Sequence, residues 1–559
     1  MTATPQRPWQ DWYAPGATRD FVPERDTIAQ RVHGSFLTHG PILMVEYFGE
    51  EITYAQMHGR VSQAARALTA AGVKKGDRIA LHLPNCPWHP VLFLGAMWIG
   101  ASVTHLSPLD ATAELAHKIT DSGAAAVFSL STPELSEKLL PLLADGTCPT
   151  LYLCPDPVSA QGRDCPIPEG AHPVEDLLAG QSDAPMAPAA DVTPDDLALL
   201  QYTGGTTGVP KAAMLTQGNL SASQQMYTMA FTGEPSAVPG SRGLYYSPLF
   251  HIMGLCAGML KRAVEGGSIY LRPRFDAARA VAEVEKFKIE YLTSVPTGWI
   301  AILGTPGVED RDLSSLSYIG SGGAPLPSEV FLRVERLTGL KLRGGWGMTE
   351  TAAAGTTVPA NMPEDKLGSI GIPTCGLDLK IVDVDDPSRD LPVGEAGEMA
   401  VRGPNVTSGY WNRSAEENAA CYTPDGYLLT GDIGYMDADG WFFVVDRKKD
   451  LILSGGFNVY PLTIENAIHQ HPAVLEAMVI GVPDDYRGES AKAFVVLNPG
   501  AEAFTLEEMQ AFLADKLGRH EIPRHLEFRT DLPRTVVGKA SRRALRDEED
   551  AKVKATQGV

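Results

Sequence analysis

A short glycine-rich segment, Tyr202–Lys211, carries the residue types that hold phosphate. The residues that suit this task are the glycines Gly204, Gly205 and Gly208, the adjacent Thr206 and Thr207, the rigid Pro210 and the terminal Lys211. Glycines let successive backbone N–H groups converge on an anion, threonine hydroxyls add donors, and a lysine supplies a mobile positive charge. The segment is not the loop that requires Gly-Lys-Ser/Thr, because Pro210 precedes the lysine and Ala212 follows it. The flanking apolar runs predict a strand on each side, so no helix dipole assists this loop.

Bulk properties exclude several classes of protein. With 559 residues the chain is too long for one core, and we expect at least two domains. A formal charge of −21 argues against a nucleic-acid-binding surface. The seven cysteines show no CxxC spacing, which indicates reduced thiols and no zinc site. The N-terminus has no signal-peptide core, and the longest apolar run, Val91–Val103, is too short to span a bilayer. We therefore expect a cytoplasmic protein with at most peripheral membrane contact.

Helical and strand patterns alternate in the first half of the chain. Thr53 precedes a helical pattern that runs to Ala71, and Arg78–Leu83 is typical of a strand. Such alternation predicts an α/β fold with a largely parallel sheet. Leu151–Pro194 is rich in proline and aspartate and is expected to be a surface excursion. After the charged run at Asp446 short strands and two helices follow, so we place a domain boundary near Lys449, between residues 1–448 and a small α+β lid over residues 449–559.

Six further segments follow the phosphate loop in a fixed order. They are Ser321–Pro325, Gly345–Thr351, Tyr427–Asp432, Asp446–Arg447, Gly455–Pro461 and Pro533–Lys539. Their order and spacing resemble the adenylate-forming superfamily of acyl-CoA synthetases, luciferases and adenylation domains, over nearly the whole chain. The chain is most similar to the medium- and long-chain fatty-acyl-CoA ligase branch, through Trp9–Gly16, the form of the phosphate loop and Pro248–Gly254.

The resemblance implies a reaction in two halves. A carboxylate attacks the α-phosphate of MgATP to give acyl-AMP and pyrophosphate, and the thiol of coenzyme A then attacks the mixed anhydride to give a thioester and AMP. It also implies a large N-terminal domain of layered α/β subdomains with mostly parallel sheets and a small β-barrel-like part, followed by a mobile lid. Three residues depart from the family pattern: Gly204 replaces a serine, Ala212 a glycine and Trp346 a tyrosine.

The resemblance assigns a role to each matching residue. Phosphate contacts are expected from the loop residues Thr203, Gly204, Gly205, Thr206, Thr207, Gly208 and Lys211, and the α-phosphate contact from Thr349. Metal ligation is expected from Glu350, with Thr206. The nucleoside is expected against Gly323, Ala324, Pro325, Gly345, Trp346, Gly347 and Met348, with its ribose on Asp432 and Arg447. Taken alone, Glu350 fits a helix N-terminus and Asp432 a turn equally well, and only the ordered set favours the functional interpretation.

The catalytic lysine and the hinge are likewise implied by the resemblance. Lys539 should bridge the carboxylate and the α-phosphate, although alone it would be interpreted as a solvated surface lysine. The hinge is expected at Lys449 beside Asp446, and rotation of the lid would present Gly455, Gly456 and Phe457 to coenzyme A. A protein acetyltransferase acting on Lys539 would remove its charge and stop the first half-reaction.

The acyl pocket and the acid are left open by the sequence. The candidate pocket residues are Tyr246, His251, Met253, Val295, Trp299, Gly322, Thr351 and Ala352. His251 is interpreted equally as a pocket wall or gate and as a catalytic group. Small residues after Thr351 favour a medium- or long-chain fatty acid, but close packing explains them equally well, and an aryl acid is the alternative. A free-standing ligase that loads a carrier protein and a non-catalytic nucleotide-binding protein are further alternatives, and a homodimer is neither predicted nor excluded.

Overall fold

The structure is a computed structural model, and it describes residues 7–203, 210–234, 237–322, 328–454, 457–484, 486–534 and 541–557. The α-helices are α1 Ile28–His39, α2 Tyr54–Ala70, α3 Trp88–Trp98, α4 Thr112–Ser122, α5 Pro133–Ser136, α6 Leu140–Ala144, α7 Pro157–Ala160, α8 Val174–Leu178, α9 Gln217–Ala230, α10 Lys261–Glu265, α11 Ala277–Phe287, α12 Pro296–Leu303, α13 Ser328–Thr338, α14 Ala415–Ala419, α15 Pro461–Ile468, α16 Leu506–Leu513 and α17 Arg542–Gln557. A π-helix, Met253–Leu260, leads directly into α10.

The strands are β1 Leu43–Tyr47, β2 Glu50–Thr53, β3 Arg78–His82, β4 Ser102–His105, β5 Ala126–Leu130, β6 Leu151–Cys154, β7 His172–Pro173, β8 Leu197–Thr203, β9 Lys211–Thr216, β10 Arg242–Tyr245, β11 Ser268–Leu271, β12 Tyr291–Ser294, β13 Tyr318–Ser321, β14 Arg343–Gly344, β15 Thr356–Thr357, β16 Ile372–Pro373, β17 Asp378–Val382, β18 Gly397–Arg402, β19 Leu428–Met436, β20 Phe442–Arg447, β21 Ile452–Ser454, β22 Phe457–Val459, β23 Val474–Asp484, β24 Gly488–Leu497 and β25 His525–Phe528.

Two seven-stranded sheets form the large N-terminal part. Their strand orders are β14-β13-β12-β10-β11-β1-β2 and β7-β6-β5-β3-β4-β8-β9. Neighbouring strands are parallel except at one edge of each sheet, where β1 pairs antiparallel with β2 and β8 with β9. Helices separate the sheets, because α1, α2, α3 and the π-helix contribute to one buried cluster that both sheets share. The predicted α/β fold with mostly parallel sheets is confirmed.

Antiparallel sheets make up the rest of the chain. Strands β17–β20 form a four-stranded sheet in sequence order. The C-terminal sheet has the order β22-β21-β24-β23, with β25 parallel to β24. Helices α15 and α16 pack against this sheet around Ile464, Met509 and Leu513. The predicted small C-terminal α+β unit is therefore present.

Local capping explains where several helices begin. Thr53, Thr216 and Thr505 each accept a hydrogen bond from the third backbone N–H of their helix while the residue there bonds back, which closes a capping box. The helix after Thr53 was predicted to reach Ala71 and ends at Ala70. Within the described residues, no helix is both long and apolar enough to cross a membrane.

One prediction about the chain's organisation is wrong. Leu151–Cys154 is not part of a surface excursion, because it forms β6 and pairs in parallel with β5 inside the second large sheet. Its side chains at positions 151, 153 and 154 are fully buried. The proline-rich composition of the residues that follow concealed a four-residue apolar strand at the start of the segment.

Candidate active site

The phosphate-loop candidate connects two adjacent antiparallel strands. Strand β8 ends at Thr203 and β9 begins at Lys211, and these two residues are partners in the ladder. The Thr203 hydroxyl donates to the Lys211 carbonyl at 3.3 Å, which closes the base of the loop. The strand–loop–strand arrangement predicted from the sequence is confirmed, since α9 begins only after β9. The loop residues Gly204, Gly205, Thr206, Thr207 and Gly208 lie outside the described residues.

The Gly345–Met348 segment runs beside β15 in a close backbone pairing. Trp346 N–H donates to the Thr356 hydroxyl at 2.9 Å, and Thr356 N–H donates to the Trp346 carbonyl at 2.7 Å. A Cβ on Gly345 would lie 2.3 Å from the Thr356 carbonyl oxygen, and one on Gly347 would lie 1.9 Å from the Ala353 carbonyl oxygen. Glycine is required at both positions because neighbouring backbone occupies the side-chain space.

A strained turn follows Met348 and carries Thr349, Glu350 and Thr351 on one turn of 3-10 helix. The next two residues, Ala352 and Ala353, have φ values of 47° and 65°, in the left-handed region that disfavours alanine. Two side chains of α9 hold this turn. Ser223 donates to the Ala352 carbonyl at 2.8 Å, and the Tyr227 hydroxyl donates to the Ala353 carbonyl at 2.9 Å. Strain of this kind persists where surrounding contacts over-determine it, as at functional sites.

Glu350 projects a buried carboxylate from this turn. It is 5% exposed, and Oε1 accepts a hydrogen bond from the Tyr410 hydroxyl at 2.8 Å. Burial raises the pKa of the Glu350 carboxyl, while the Tyr410 hydrogen bond and the charge of Arg447 oppose that rise and Asp432 adds to it. Glu350, Asp432 and Arg447 therefore share one electrostatic environment.

Asp432 is held by two of the residues that the sequence singled out. Trp346 Nε1 donates to Asp432 Oδ2 at 2.7 Å, and Arg447 Nε lies 2.8 Å from Oδ1. Asp432 and Arg447 are ladder partners on β19 and β20, so the sheet register places the guanidinium beside the carboxylate. Asp432 is 3% exposed, whereas the Arg447 side chain is 53% exposed. A buried carboxylate with two charge-assisted donors has a fixed orientation and can accept further bonds on its remaining lone pairs.

The candidate acyl-pocket residues fall into two groups. Met253 and Gly322 are neighbours, since a Cβ on Gly322 would lie 3.5 Å from the Met253 sulfur. His251 stands just before them, and its Nδ1 accepts from Met253 N–H at 3.3 Å. Met253 opens the π-helix, a form that is common at functional sites. Gly323, Ala324 and Pro325, which follow Gly322, lie outside the described residues.

The second group is buried in the core or within the strained turn. Tyr246 and Trp299 belong to the core cluster behind the first sheet, where Trp299 Nε1 donates to the Gly320 carbonyl at 2.9 Å. The Tyr246 hydroxyl donates to Glu283 at 3.2 Å. Val295 caps α12. Thr351 and Ala352 are fully buried in the turn beside Glu350.

The C-terminal candidates lie at the edge of what the structure describes. Lys539, Gly455 and Gly456 are outside the described residues, and so is the Phe457 side chain. Ser541 N–H donates to the Pro533 carbonyl at 2.8 Å, so the segment that contains Lys539 has its ends close together. Asp446 is fully buried, and Arg542 Nη1 lies 3.0 Å from its Oδ1. Lys449 is exposed on a turn of 3-10 helix.

Sequence reasoning missed a segment that joins these parts, Asn405–Trp411. Thr407 N–H donates to the Glu350 carbonyl at 2.7 Å, and Tyr410 bonds the Glu350 side chain. Trp411 N–H donates to the Ala212 carbonyl at 2.9 Å, so the segment also extends the edge of β9. The sequence signal for this segment was the aromatic pair Tyr410 and Trp411 between Gly409 and Asn412. In the structure both of these flanking residues have a positive φ.

Comparisons with known proteins find relatives over nearly the whole chain. The model of the AMP-binding enzyme family matches residues 38–411, and that of the AMP-binding enzyme C-terminal domain matches residues 463–539. The chain is 34% identical to a long-chain-fatty-acid–CoA ligase of Bacillus subtilis (strain 168), over 97% of this chain and 98% of that protein. It is 36% identical to a feruloyl-CoA synthase of an Amycolatopsis species, over 89% and 93%. The crystal structure of ATP-bound MatB from Rhodopseudomonas palustris superposes with a TM-score of 0.83 at 29% identity, over 93% and 98%.

The fold and the matched lengths define the class of protein. The chain belongs to the AMP-binding enzyme family, within the adenylate-forming superfamily. The resemblance inferred from its motifs is confirmed, and with it the expected class of enzyme, an AMP-forming acid–CoA ligase.

Proposed function

We propose that this enzyme activates a medium- or long-chain fatty acid as acyl-AMP and transfers the acyl group to coenzyme A. One observation carries the site assignment. Asp432 is held by Arg447 at 2.8 Å and Trp346 at 2.7 Å, and Tyr410 joins Glu350, through its hydroxyl, to Lys211 at the end of the phosphate loop, through its ring. This set combines an anion-binding loop, a hard oxygen ligand and a ribose acceptor.

The first half-reaction brings two anions together, so its catalysis consists of alignment and charge neutralisation. Lys211 and the loop that precedes it hold the β- and γ-phosphates. The Thr349 hydroxyl donates to the α-phosphate. Asp432 accepts from the ribose hydroxyls, with Arg447 and Trp346 holding its orientation. Lys539 bridges the attacking carboxylate and the α-phosphate as negative charge builds on the transferring group.

The residues fit a magnesium ion bound mainly through the nucleotide. Mg²⁺ takes oxygen ligands and usually combines one or two carboxylates with substrate phosphates. Over the described ranges no three His, Cys, Asp or Glu side chains cluster as a metal cage. Glu350 is the proposed carboxylate ligand. When bound there, the ion supplies neutralisation of phosphate charge. Thr206 is the second proposed ligand and lies outside the described residues.

The second half-reaction requires that Lys539 leave the space in which the thiol attacks. We place the domain boundary in the charged run 446–449, with the pivot at Lys449. A change of sheet supports this boundary, because β20 belongs to the four-stranded sheet and β21 begins the C-terminal sheet. In the rotated state, Gly455 and Gly456 let the pantetheine arm pass close to the backbone.

The wall of the candidate acyl pocket bears on the choice between an aliphatic and an aryl acid. Neighbouring Met253 and Gly322 provide an apolar, adaptable wall, which favours an aliphatic chain. The named relatives support both classes, since one is a long-chain-fatty-acid–CoA ligase and the other a feruloyl-CoA synthase. An aryl-CoA ligase is therefore the second candidate.

An acid panel tests the proposal. Pyrophosphate, AMP and thioester are measured with acetate, octanoate, palmitate, benzoate and ferulate, each with and without coenzyme A. We expect the highest kcat/KM for octanoate or palmitate, and sustained AMP production only with coenzyme A. A preference for ferulate or benzoate would replace the fatty acid by an aryl acid. Turnover that requires a carrier protein would contradict coenzyme A as the acceptor.

A further inference from the structure

The segment Asn405–Trp411, here called the bridge segment, holds the strained turn through hydrogen bonds. The Asn405 side-chain amide donates to the carbonyls of Thr351 and Ala354, both at 2.7 Å. Thr407 N–H donates to the Glu350 carbonyl at 2.7 Å. The backbone carbonyls of Glu350, Thr351 and Ala354 thus all accept hydrogen bonds from the bridge segment. These bonds fix the position and direction of Glu350.

The other end of the bridge segment is attached to the strand that leaves the phosphate loop. Tyr410 and Ala213 form an antiparallel bridge, and Met214 N–H donates to the Gly409 carbonyl at 3.1 Å. The Thr407 hydroxyl donates to the Met214 carbonyl at 2.6 Å. The segment therefore ties the turn with Glu350 to β9, which begins at Lys211.

Tyr410 is the residue at which both attachments meet. Its hydroxyl donates to Glu350 Oε1 at 2.8 Å, and the Lys211 ammonium lies 5.6 Å from the centre of its ring. A neutral O–H donor orients a carboxylate without neutralising it, whereas a lysine or arginine would cancel the charge that a cation needs. An ammonium over an aromatic face is likewise held without losing its charge.

The position of the ring has a second consequence. Lys211 and Glu350 carry opposite charges and both lie against Tyr410, the carboxylate on its hydroxyl and the ammonium 5.6 Å from the centre of its ring. A direct ion pair would tie up both charges and would have to be broken before phosphate and metal could bind. Each charge has the neutral Tyr410 side chain as a partner instead, Glu350 through the hydroxyl and Lys211 through the ring.

We propose that Tyr410 is a positioning residue for the first half-reaction: its hydroxyl orients Glu350 toward the metal ion of MgATP, and its ring keeps Lys211 apart from that carboxylate. The inference rests on the proposed function. It assigns no chemical step to Tyr410, which acts only through Glu350 and Lys211.

Binding of Mn²⁺·ATP tests this role without turnover. Tyr410→Phe removes the hydroxyl and keeps the ring, and free Mn²⁺ is followed by electron paramagnetic resonance at saturating ATP. We expect Mn²⁺ affinity to fall about tenfold, the equivalent of roughly 1.4 kcal/mol, which is close to the lower end of the contribution of a hydrogen bond to a charged group. Affinity for metal-free ATP should change less than about twofold, because the ring still separates the charges.

The chain offers a matched control in Tyr47. Its hydroxyl donates to Asp156 Oδ2 at 2.9 Å in a buried setting, so Tyr47→Phe removes the same kind of bond away from the site. We expect Tyr47→Phe to lower the melting temperature and leave Mn²⁺ affinity unchanged. Equal Mn²⁺ affinities in Tyr410→Phe, Tyr47→Phe and the wild type would overturn the proposal.

A double-mutant cycle separates positioning from general loosening. If Tyr410 acts through Glu350, adding Tyr410→Phe to Glu350→Gln should lower Mn²⁺ affinity no further, whereas an additive loss would contradict the proposal.

Thioester formation from supplied acyl-AMP should be unaffected by Tyr410→Phe, since no triphosphate is present. Should Tyr410→Phe prevent folding, Tyr410→His is the second variant, since it keeps a ring and an N–H donor. Tyr410→His should change Mn²⁺ affinity when made alone and should leave it unchanged when added to Glu350→Gln. A wild type that binds Mn²⁺·ATP yet forms no acyl-AMP would refute the proposed function and leave the role of Tyr410 measurable.

Discussion

Replacing Asp432 by asparagine tests the ribose contact directly. The carboxylate accepts from Trp346 at 2.7 Å and faces Arg447 at 2.8 Å, and it is 3% exposed. An asparagine has one acceptor oxygen and a donor NH₂ group, so one of the two protein donors would face another donor. The substitution preserves the shape of the side chain and changes only its charge and its acceptors.

The magnitude follows from the number of acceptors removed. A hydrogen bond to a charged acceptor contributes about 1.5–3 kcal/mol, so the loss of one ribose bond should raise the Kd for ATP roughly 10- to 150-fold. Leaving one buried donor unsatisfied costs a further 1–3 kcal/mol or so, which should appear as a lower melting temperature.

Comparing ATP with 2′-deoxy-ATP and 3′-deoxy-ATP isolates the contact from general damage. In the wild type, each missing hydroxyl should weaken binding by about tenfold or more, measured by equilibrium dialysis. In Asp432→Asn the penalty for the missing hydroxyl should shrink to about threefold or less, because its acceptor is already gone. An unchanged penalty for both deoxynucleotides in Asp432→Asn would refute the assignment of Asp432 to the ribose.

Three further predictions concern Lys539, Gly347 and the buried histidines His82 and His105. Lys539→Ala should slow acyl-AMP formation by at least about 100-fold and spare thioester formation from supplied acyl-AMP; near wild-type pyrophosphate release in rapid quench would contradict this. Gly347→Ala should lower the free energy of unfolding by about 1–3 kcal/mol and abolish nucleotide binding, because its Cβ would meet the Ala353 carbonyl at 1.9 Å. The control Gly34→Ala, with open space around its Cβ, should leave stability in thermal melts and ATP binding intact. Burial lowers the pKa of His82 to about 3 and of His105 to about 4, so below pH 6.5 the unfolded chain binds more protons than the folded chain. The free energy of unfolding in urea should therefore fall by about 1.4 kcal/mol per pH unit for each histidine as the pH drops toward 4. His105→Gln should remove one histidine's share of that slope, and an unchanged slope would contradict the assignment.

Sequence patterns correctly predicted those elements that are determined by residues within them or next to them. The phosphate hairpin follows from two apolar runs around a glycine-rich loop, and α16 from the capping box at Thr505. The small C-terminal unit follows from the charged run after Asp446 and the helix that Pro461 opens. In each case the residues that determine the element lie within a few positions of it.

Contacts between distant segments escaped sequence reasoning. Tyr410 stands 60 residues from Glu350, and nothing in its immediate sequence indicates that its hydroxyl bonds that carboxylate. Composition also misled at Leu151–Cys154, where four residues form a buried strand although polar and proline-rich sequence follows. The Trp346 indole bond to Asp432 was likewise hidden, because the ring was expected to stack beside the nucleoside and not to donate to a carboxylate 86 residues away.

Transfer of oxygen from the acid to the nucleotide tests the central claim most directly. When the carboxylate attacks the α-phosphate and the thiol then breaks the anhydride at the carbonyl carbon, one carboxylate oxygen stays on phosphorus. Turnover of ¹⁸O-labelled fatty acid with ATP and coenzyme A should therefore yield AMP with one ¹⁸O per molecule, read by mass spectrometry. Label in inorganic phosphate, with ADP as the spent nucleotide, would contradict activation through an acyl-adenylate.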